Sequence, residues 1–540
     1  MIEAKPWWKD AVVYQVYVRS FADGNGDGTG DIAGLRSRLP YLKSLGVDAI
    51  WVNPWYESPL RDGGYDVADY RSINPLFGTL DEATHLIDEA REMGLRLLVD
   101  LVPNHTSSEH RWFKEAVASP AGSPARNRYH FLPGKGPDGS LPPNDWGSVF
   151  GGPAWTRLPD DEWYLHLFDP SQPDLNWENP EVREEFKDIL RFWLDRGAAG
   201  FRVDVAHSLV KAPGYPDAGD EHDRHLEPPS GTQSPMWDRD DLHEIVREWR
   251  GVLDDYEDSV MIAEAWVPSW ERLARYLRPG EYHQAFDFHF LVSPWEAAEI
   301  RARTDVAIST TAGVGTVPTW VLSNHDVVRH ATRYGLPQDI DSKKWLGAGD
   351  RSLLDPETGL RRARAAILLM LALPGSVYLY QGEELGLPEV HDLPVNVLDD
   401  PVWERSNHTE KGRDGCRVPL PWSKGGPSFG FGEAEPWLPQ PDWWGEHSVE
   451  AQDRVEGSTL ELYREAIRTR DENFHTTTID WHDEGNDVLS FTRGSGVRCI
   501  VNFGDDPVTM PSGRVLISSE PLSDRSLHQD VAVWLAAEEV

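Results

Sequence analysis

Three acidic residues close three short apolar runs in this chain. Asp204 ends Gly200-Phe201-Arg202-Val203-Asp204, Glu264 ends Val260-Met261-Ile262-Ala263-Glu264, and Asp326 follows Trp320-Val321-Leu322-Ser323-Asn324-His325. A fourth run, Leu97-Leu98-Val99-Asp100-Leu101-Val102, leads into Asn104-His105. Carboxylates at the carboxyl ends of several strands are the sequence pattern of an active site on the upper face of a (β/α)8 barrel. A close pair of carboxyls, one acid/base and one nucleophile, is the equipment for cleaving a glycosidic bond.

The elements that would hold those residues alternate between two periods. Ala11–Val18, Asp48–Val52 and Arg96–Val102 read as strands, and Gly34–Leu45 and Leu80–Met93 as helices stopped by Gly46 and Gly94. This rhythm predicts a parallel sheet. From about Asn104 to Ser171 it is interrupted by a Gly-, Pro-, Asn- and Trp-rich stretch whose only helical period is Glu109–Ala118, so residues 104–171 are expected to be an inserted subdomain. The rhythm resumes with a helix over Glu181–Arg196 and strands at Gly200 and near Val260, Ala285, Thr319 and Ser376. Long loops are expected over His207–Asp241, Leu336–Thr358 and Val390–Gln452. After a helix over Ser458–Arg470, alternation in Val488–Thr492 and Val497–Asn502 predicts a small antiparallel domain. The expected fold is therefore α/β. A (β/α)8 TIM barrel occupies residues 1–103 and 172–471, with an inserted subdomain after strand 3 and a β-sandwich over 472–540.

Composition narrows the function classes. The chain has 540 residues and a formal charge of −38, a field that repels nucleic acid phosphates and anionic membrane surfaces. The expected partner is a small neutral molecule. Two cysteines, Cys416 and Cys499, are too few for a disulfide framework and have no CxxC spacing. Met1–Asp10 lacks a basic segment followed by an apolar one, and no apolar run approaches membrane length, the longest lying around Ala365–Leu373. A cytoplasmic, soluble protein is expected. There is no P-loop, Gly24-Asn25-Gly26 is no dinucleotide fingerprint, and His243-Glu244 lacks the second His of a zincin, so no organic cofactor is expected.

Four ordered segments resemble the signature regions of the α-amylase family, the family 13 glycoside hydrolases. They are Asp100-Leu101-Val102-Pro103-Asn104-His105, Gly200 to His207, Ala263-Glu264-Ala265-Trp266 and Ser323-Asn324-His325-Asp326. Three further segments agree: Gly46 to Pro54, Gln172-Pro173-Asp174-Leu175-Asn176 and Gly375 to Gly386. The Gln172–Asn176 variant resembles the oligo-1,6-glucosidase and α-glucosidase group. The resemblance implies that Asp204 is a nucleophile forming a covalent glycosyl intermediate and Glu264 the general acid/base. It implies that Asp326, His105 and His325 grip the sugar, with Phe168, Gln172 and Val205 also contacting substrate. Arg202, two residues before Asp204 on one strand face, would keep the nucleophile ionised.

Gly64-Tyr65-Asp66 resembles the family segment whose Asp binds the non-reducing end, and Gly412-Arg413-Asp414 the loop supplying its Arg partner. An Asp66–Arg413 pair is thus expected to close the pocket behind a terminal glucose, beside Tyr65. That loop departs from the family at Val418 and Leu420, where Thr and Met are usual. In Asp23-Gly24-Asn25-Gly26-Asp27-Gly28-Thr29-Gly30-Asp31, oxygen-bearing side chains alternate with glycines, which suits a hard cation. Position twelve of an EF-hand would fall on Gly34, so the bidentate Glu is missing. Related α-glucosidases carry a similar loop, implying structural Ca2+ or Mg2+ held by Asp23, Asn25, Asp27, Asp31 and the Thr29 carbonyl. An ordinary Asx turn explains the same residues without an ion.

The expected activity is retaining, exo-acting hydrolysis of terminal α-linked glucose from maltose- or isomaltose-like sugars, with linkage open between α-1,4 and α-1,6. The alternatives are a transferring or isomerising relative of trehalose synthase or sucrose isomerase type, and a non-catalytic barrel of the kind that escorts transporters.

Overall fold

The computed structural model describes residues 6–219, 234–494 and 496–537. Eight parallel strands form one sheet: β1 (Val12–Val16), β2 (Ala49–Val52), β3 (Arg96–Leu101), β4 (Gly200–Val203), β5 (Val260–Ala263), β6 (Gln284–Ala285), β7 (Thr319–Val321) and β8 (Ser376–Tyr380). Their spatial order is β6-β5-β4-β3-β2-β1-β8-β7. The two ends meet through a bridge between Phe286 and Thr319, reinforced by the Asp287 N–H donating to the Thr319 carbonyl at 2.9 Å. The sheet is thereby closed into the expected barrel. Nearly every strand residue is buried. Side chains fill the barrel inside and helices cover it outside, which is why these strands read as continuous apolar runs.

The helices follow their local chemistry. Leu80–Glu92 starts at a capping box between Thr79 and Glu82 and buries Ala83, Leu86, Ile87 and Ala90. Gly94 follows at φ 75° and takes the chain into β3. The single helix expected over Gly34–Leu45 is two helices, Ile32–Ser37 and Leu39–Leu45, broken at Arg38. Pro40 has no N–H to continue the first helix but fits the first turn of the second.

Between β3 and β4 the chain forms a three-stranded antiparallel sheet with Glu162–Leu165 between Phe131–Pro133 and Trp155–Arg157. Trp146, Phe150, Trp155, Trp163 and Phe168 pack together beneath it and reach Val205 beside the barrel mouth. The tail is a five-stranded antiparallel sheet, ordered Ile479–His482, Val488–Arg493, Val497–Asn502, Val531–Ala536 and Arg514–Ser518, with a separate two-stranded pair. One expected loop, Leu336–Thr358, instead contains the helix Ser342–Ala348, started by Asp341 accepting from the N–H groups of Lys343 and Lys344. Part of another, 220–233 within His207–Asp241, lies outside the described residues. Among the described residues, no helix is long and apolar enough to cross a membrane.

Candidate active site

The carboxyl ends of β3, β4, β5 and β7 converge on a cavity of about 770 Å³ whose walls include Asp204, Glu264, Asp326, His105, His325, Tyr65, Phe168, Val205 and Arg413. At its base Arg202, on β4 and 1% exposed, touches three carboxylates. Its Nη1 lies 3.1 Å from Asp100 Oδ1 and 2.5 Å from Asp204 Oδ1, and Nη2 lies 3.5 Å from Glu264 Oε2. The guanidinium stands over the Trp51 ring, 4.9 Å from its centroid. Asp100 also accepts from Trp51 Nε1 at 3.0 Å and Tyr65 Oη at 3.1 Å, so it is fully used in orienting the arginine.

Burial raises the carboxyls of both Asp204 and Glu264, and Arg202 opposes it at each. The charged contact is a full ångström shorter at Asp204, so Arg202 favours the ionised form there more than at Glu264. Glu264 is oriented by two neutral donors, Trp266 Nε1 at 3.0 Å and the Val205 backbone N–H at 2.6 Å. The second contact requires Val205 to adopt φ 42°, a left-handed conformation that a β-branched residue seldom takes.

Asp326 makes a different set of contacts. Burial alone would raise it, but the guanidiniums of Arg413 and Arg417 hold the carboxyl below the usual range. Arg413 Nη1 is 3.0 Å and Arg417 Nη2 is 3.1 Å from its Oδ1. Gln15 Nε2, a donor, lies 2.7 Å from His325 Nδ1, which leaves the ring proton on Nε2. That nitrogen faces Asp326 Oδ2 at 3.2 Å without making a hydrogen bond, so its proton is available to a ligand. Burial keeps both His325 and His105 neutral, His105 being lowered to about 4.

The pocket floor corrects the sequence expectation. Asp66 does not meet Arg413. Its carboxylate is fully buried and accepts from Ser58 Oγ at 2.9 Å and from the N–H groups of Arg61 and Asp62 at 3.2 Å, closing its own loop. Burial pushes it up to about 6. The partner is Asp62, whose Oδ1 lies 2.7 Å from Arg413 Nη2. Its Oδ2 accepts from Gln172 Nε2 at 2.9 Å, and the same amide lies 3.1 Å from His105 Nε2. Gln172 and Arg202 therefore stand behind the cavity wall and position what lines it. Gly63 turns the loop at φ 58°, and a Cβ there would come within 2.7 Å of Tyr17 Oη.

Two further residues escaped sequence reading. Arg417 shares Asp326, and Asp400, buried beneath Arg413, accepts from its Nε and from its backbone N–H at 2.9 Å. No apolar run or motif points to Asp400, which reaches Arg413 only because the Val390–Gln452 segment folds back on itself.

The Asp23–Asp31 loop folds as a series of Asx turns. Asp23 accepts from the N–H groups of Asn25, Gly26 and Gly28, Asp27 from that of Thr29, and Asp31 caps the helix at Ile32 through the Gly34 N–H. The donor set is all oxygen, as a hard cation wants. Among the described residues, however, no three His, Cys, Asp or Glu side chains gather as a metal-holding group, and these oxygens face the loop's own backbone.

The chain matches the model of the alpha amylase catalytic domain over residues 15–479, and it belongs to that family, the family 13 glycoside hydrolases. It is a glycoside hydrolase. Among its relatives, it is 35% identical over 554 residues to a probable alpha-glucosidase of Rhizobium meliloti (strain 1021), covering 98% of this chain and 94% of that one. An oligo-1,6-glucosidase of Parageobacillus thermoglucosidasius is 35% identical over 503 residues, covering 86% and 83%. The solved trehalulose synthase MutB of Pseudomonas mesoacidophila MX-45 superposes with a TM-score of 0.84 at 31% identity, covering 98% of this chain and 99% of that one.

Proposed function

We propose that the protein is a retaining, exo-acting α-glucosidase that releases terminal non-reducing glucose from short maltose- or isomaltose-type sugars. The observation that carries this reading is the floor: Arg413 spans Asp62 and Asp326, closing one end of the cavity so that a chain end enters and a polymer cannot pass through.

In this reading Asp204 attacks the anomeric carbon as Glu264 gives its proton to the departing oxygen. Water, activated by the same glutamate, then releases glucose. Two carboxyls reached by one guanidinium suit the short separation, about 5–5.5 Å, of retaining enzymes. Asp326 and the His325 Nε2 proton hold hydroxyls of the bound ring, and His105 adds a neutral partner from β3. The similarity to named glucosidases supports hydrolysis. Two cysteines, both buried and free, suit a cytoplasmic setting.

A second reading, isomerisation of a disaccharide, draws on the similarity to trehalulose synthase. In that case the departing sugar stays in the pocket and attacks the intermediate in place of water. We also propose a structural Ca2+ or Mg2+ in the Asp23–Asp31 loop, held by the side chains of Asp23, Asn25, Asp27 and Asp31 and the Thr29 carbonyl. Its only role would be to fix the loop that precedes the first helix.

The test is product analysis on maltose, isomaltose, sucrose, trehalose and starch, with Asp204→Asn as control. Glucose from the disaccharides, absent in the variant, is the expected result. Starch as the best substrate overturns exo action, and an isomeric disaccharide without net glucose overturns hydrolysis.

A further inference from the structure

The cavity's deep end and its mouth carry opposite electrostatics. At the deep end every cation is matched: Arg202, Arg413 and Arg417 each touch one or more carboxylates. The mouth is built from three segments, 149–152, 342–346 and 402–411, and presents Lys343, Arg405 and Lys411 to the same cavity. Among the described residues, none of these three is in an ion pair. Arg405 donates to the Gly151 carbonyl and leaves its buried Nε without a partner, and Lys411 Nζ donates to the His391 carbonyl at 2.9 Å. Lys343 stands exposed on the helix Ser342–Ala348, which packs over the 409 segment: a Cβ on Gly347 would lie 3.0 Å from the Thr409 carbonyl oxygen.

Unpaired cations are unexpected here, since acidic side chains number 90 against 52 basic ones. Asp392 acts on Lys411 and Asp169 on Arg405 through space, but neither makes an ion pair with it. Glu410 is exposed, and Glu389 is buried, accepts from the Arg329 N–H at 3.0 Å, and is pushed by burial up to about 7. The surface field of the whole chain disfavours an anion. At physiological salt, however, that field decays within about 8 Å, and inside the mouth local charges decide.

Building on the glucosidase reading, we propose that the mouth is a subsite for an anionic leaving group, a sugar bearing a phosphate or carboxylate, attached to the glucose that the deep end holds. Lys343 and Lys411 would contact the anion from two sides, and Arg405, tied to Gly151, would fix the rim. A neutral leaving group can accept hydrogen bonds from these three cations but leaves their charge unmatched. An anionic one both satisfies them and is placed on the side of the cavity away from Asp62 and Asp326.

The test compares kcat/KM for maltose with that for maltose phosphorylated at C6 of its reducing-end glucose, in wild type and in the Lys343→Gln/Lys411→Gln double variant. The expected result is a preference for the phosphorylated sugar on the order of tenfold in wild type, collapsing toward equality in the double variant and in 1 M salt. Equal or better turnover of maltose by wild type overturns the subsite and leaves the glucosidase reading intact. Cleavage of neither sugar overturns that underlying reading as well. Calorimetry with glucose 6-phosphate against glucose gives a check without turnover: tighter binding of the phosphate ester, lost in the double variant, is expected, and equal binding counts against the subsite.

Discussion

Arg413 lies 2.7 Å from Asp62 and 3.0 Å from Asp326, so one guanidinium ties a residue of the β2–β3 connection to one that follows β7. Asp400 holds that arginine from beneath through its Nε. The floor is therefore a relay of charges in which each carboxylate has an assigned partner, and removing one leaves another buried and unmatched.

Asp62→Ala should lower kcat/KM on maltose by on the order of 10²-fold, chiefly through KM, with a small change in melting temperature. Asp66→Ala should do the reverse, lowering the melting temperature because Ser58 Oγ and two backbone N–H groups lose their acceptor, while KM moves little. Steady-state kinetics and thermal melts on both variants check this. A KM effect confined to Asp66→Ala would restore the pairing expected from sequence.

The pH profile has a defined direction. Burial raises Glu264, so the proton that the proposed mechanism gives to the leaving group is present below that raised value and lost as pH climbs through it. kcat/KM should fall on the alkaline side, at a pH above the ordinary carboxyl range. In Glu264→Gln, assayed with an activated nitrophenyl glucoside whose leaving group needs no proton, the alkaline limb should vanish while the acid limb, set by Asp204, remains. An unchanged alkaline limb would remove Glu264 from the acid role.

Dialysis against EDTA tests the loop at Asp23–Asp31. With the proposed ion in place, the melting temperature should fall by about 1 °C and return with Ca2+ or Mg2+, the scale of roughly 1 kcal/mol in a chain this large. No shift, together with no bound metal by elemental analysis, would mean that the Asx turns close the loop alone.

Much of this site is legible in the sequence because barrel strands are buried on both faces. Each appears as a short apolar run, and the residue that ends it faces the mouth, which is why strand ends alone locate Asp204, Glu264, His325 and Asp326. The path of the loops carries no such signal. Asp62 and Asp66 are four residues apart in one turn, and only the fold of Gly63-Gly64 decides which carboxylate points at Arg413. The helix Ser342–Ala348 is hidden because it is short and rests on an Asp341 cap and two apolar residues, Trp345 and Leu346, too few to set a period. The break at Arg38 is signalled by Pro40, but a continuous apolar pattern across it favours a single helix.

The hoop of the barrel is joined between β6 and β7 by one bridge, Phe286 with Thr319, and one flanking amide contact. Asp326 follows β7, the stave just after that joint, while Glu264 ends β5, one stave removed from it across β6. Any slackening there would shift Asp326 against Glu264, Arg202 and Asp204, which stay together on the neighbouring strands β5 and β4. Substitutions at the Phe286 joint would thus be felt as a loss of alignment between Asp326 and the Asp204–Glu264 pair while the molecule stayed folded.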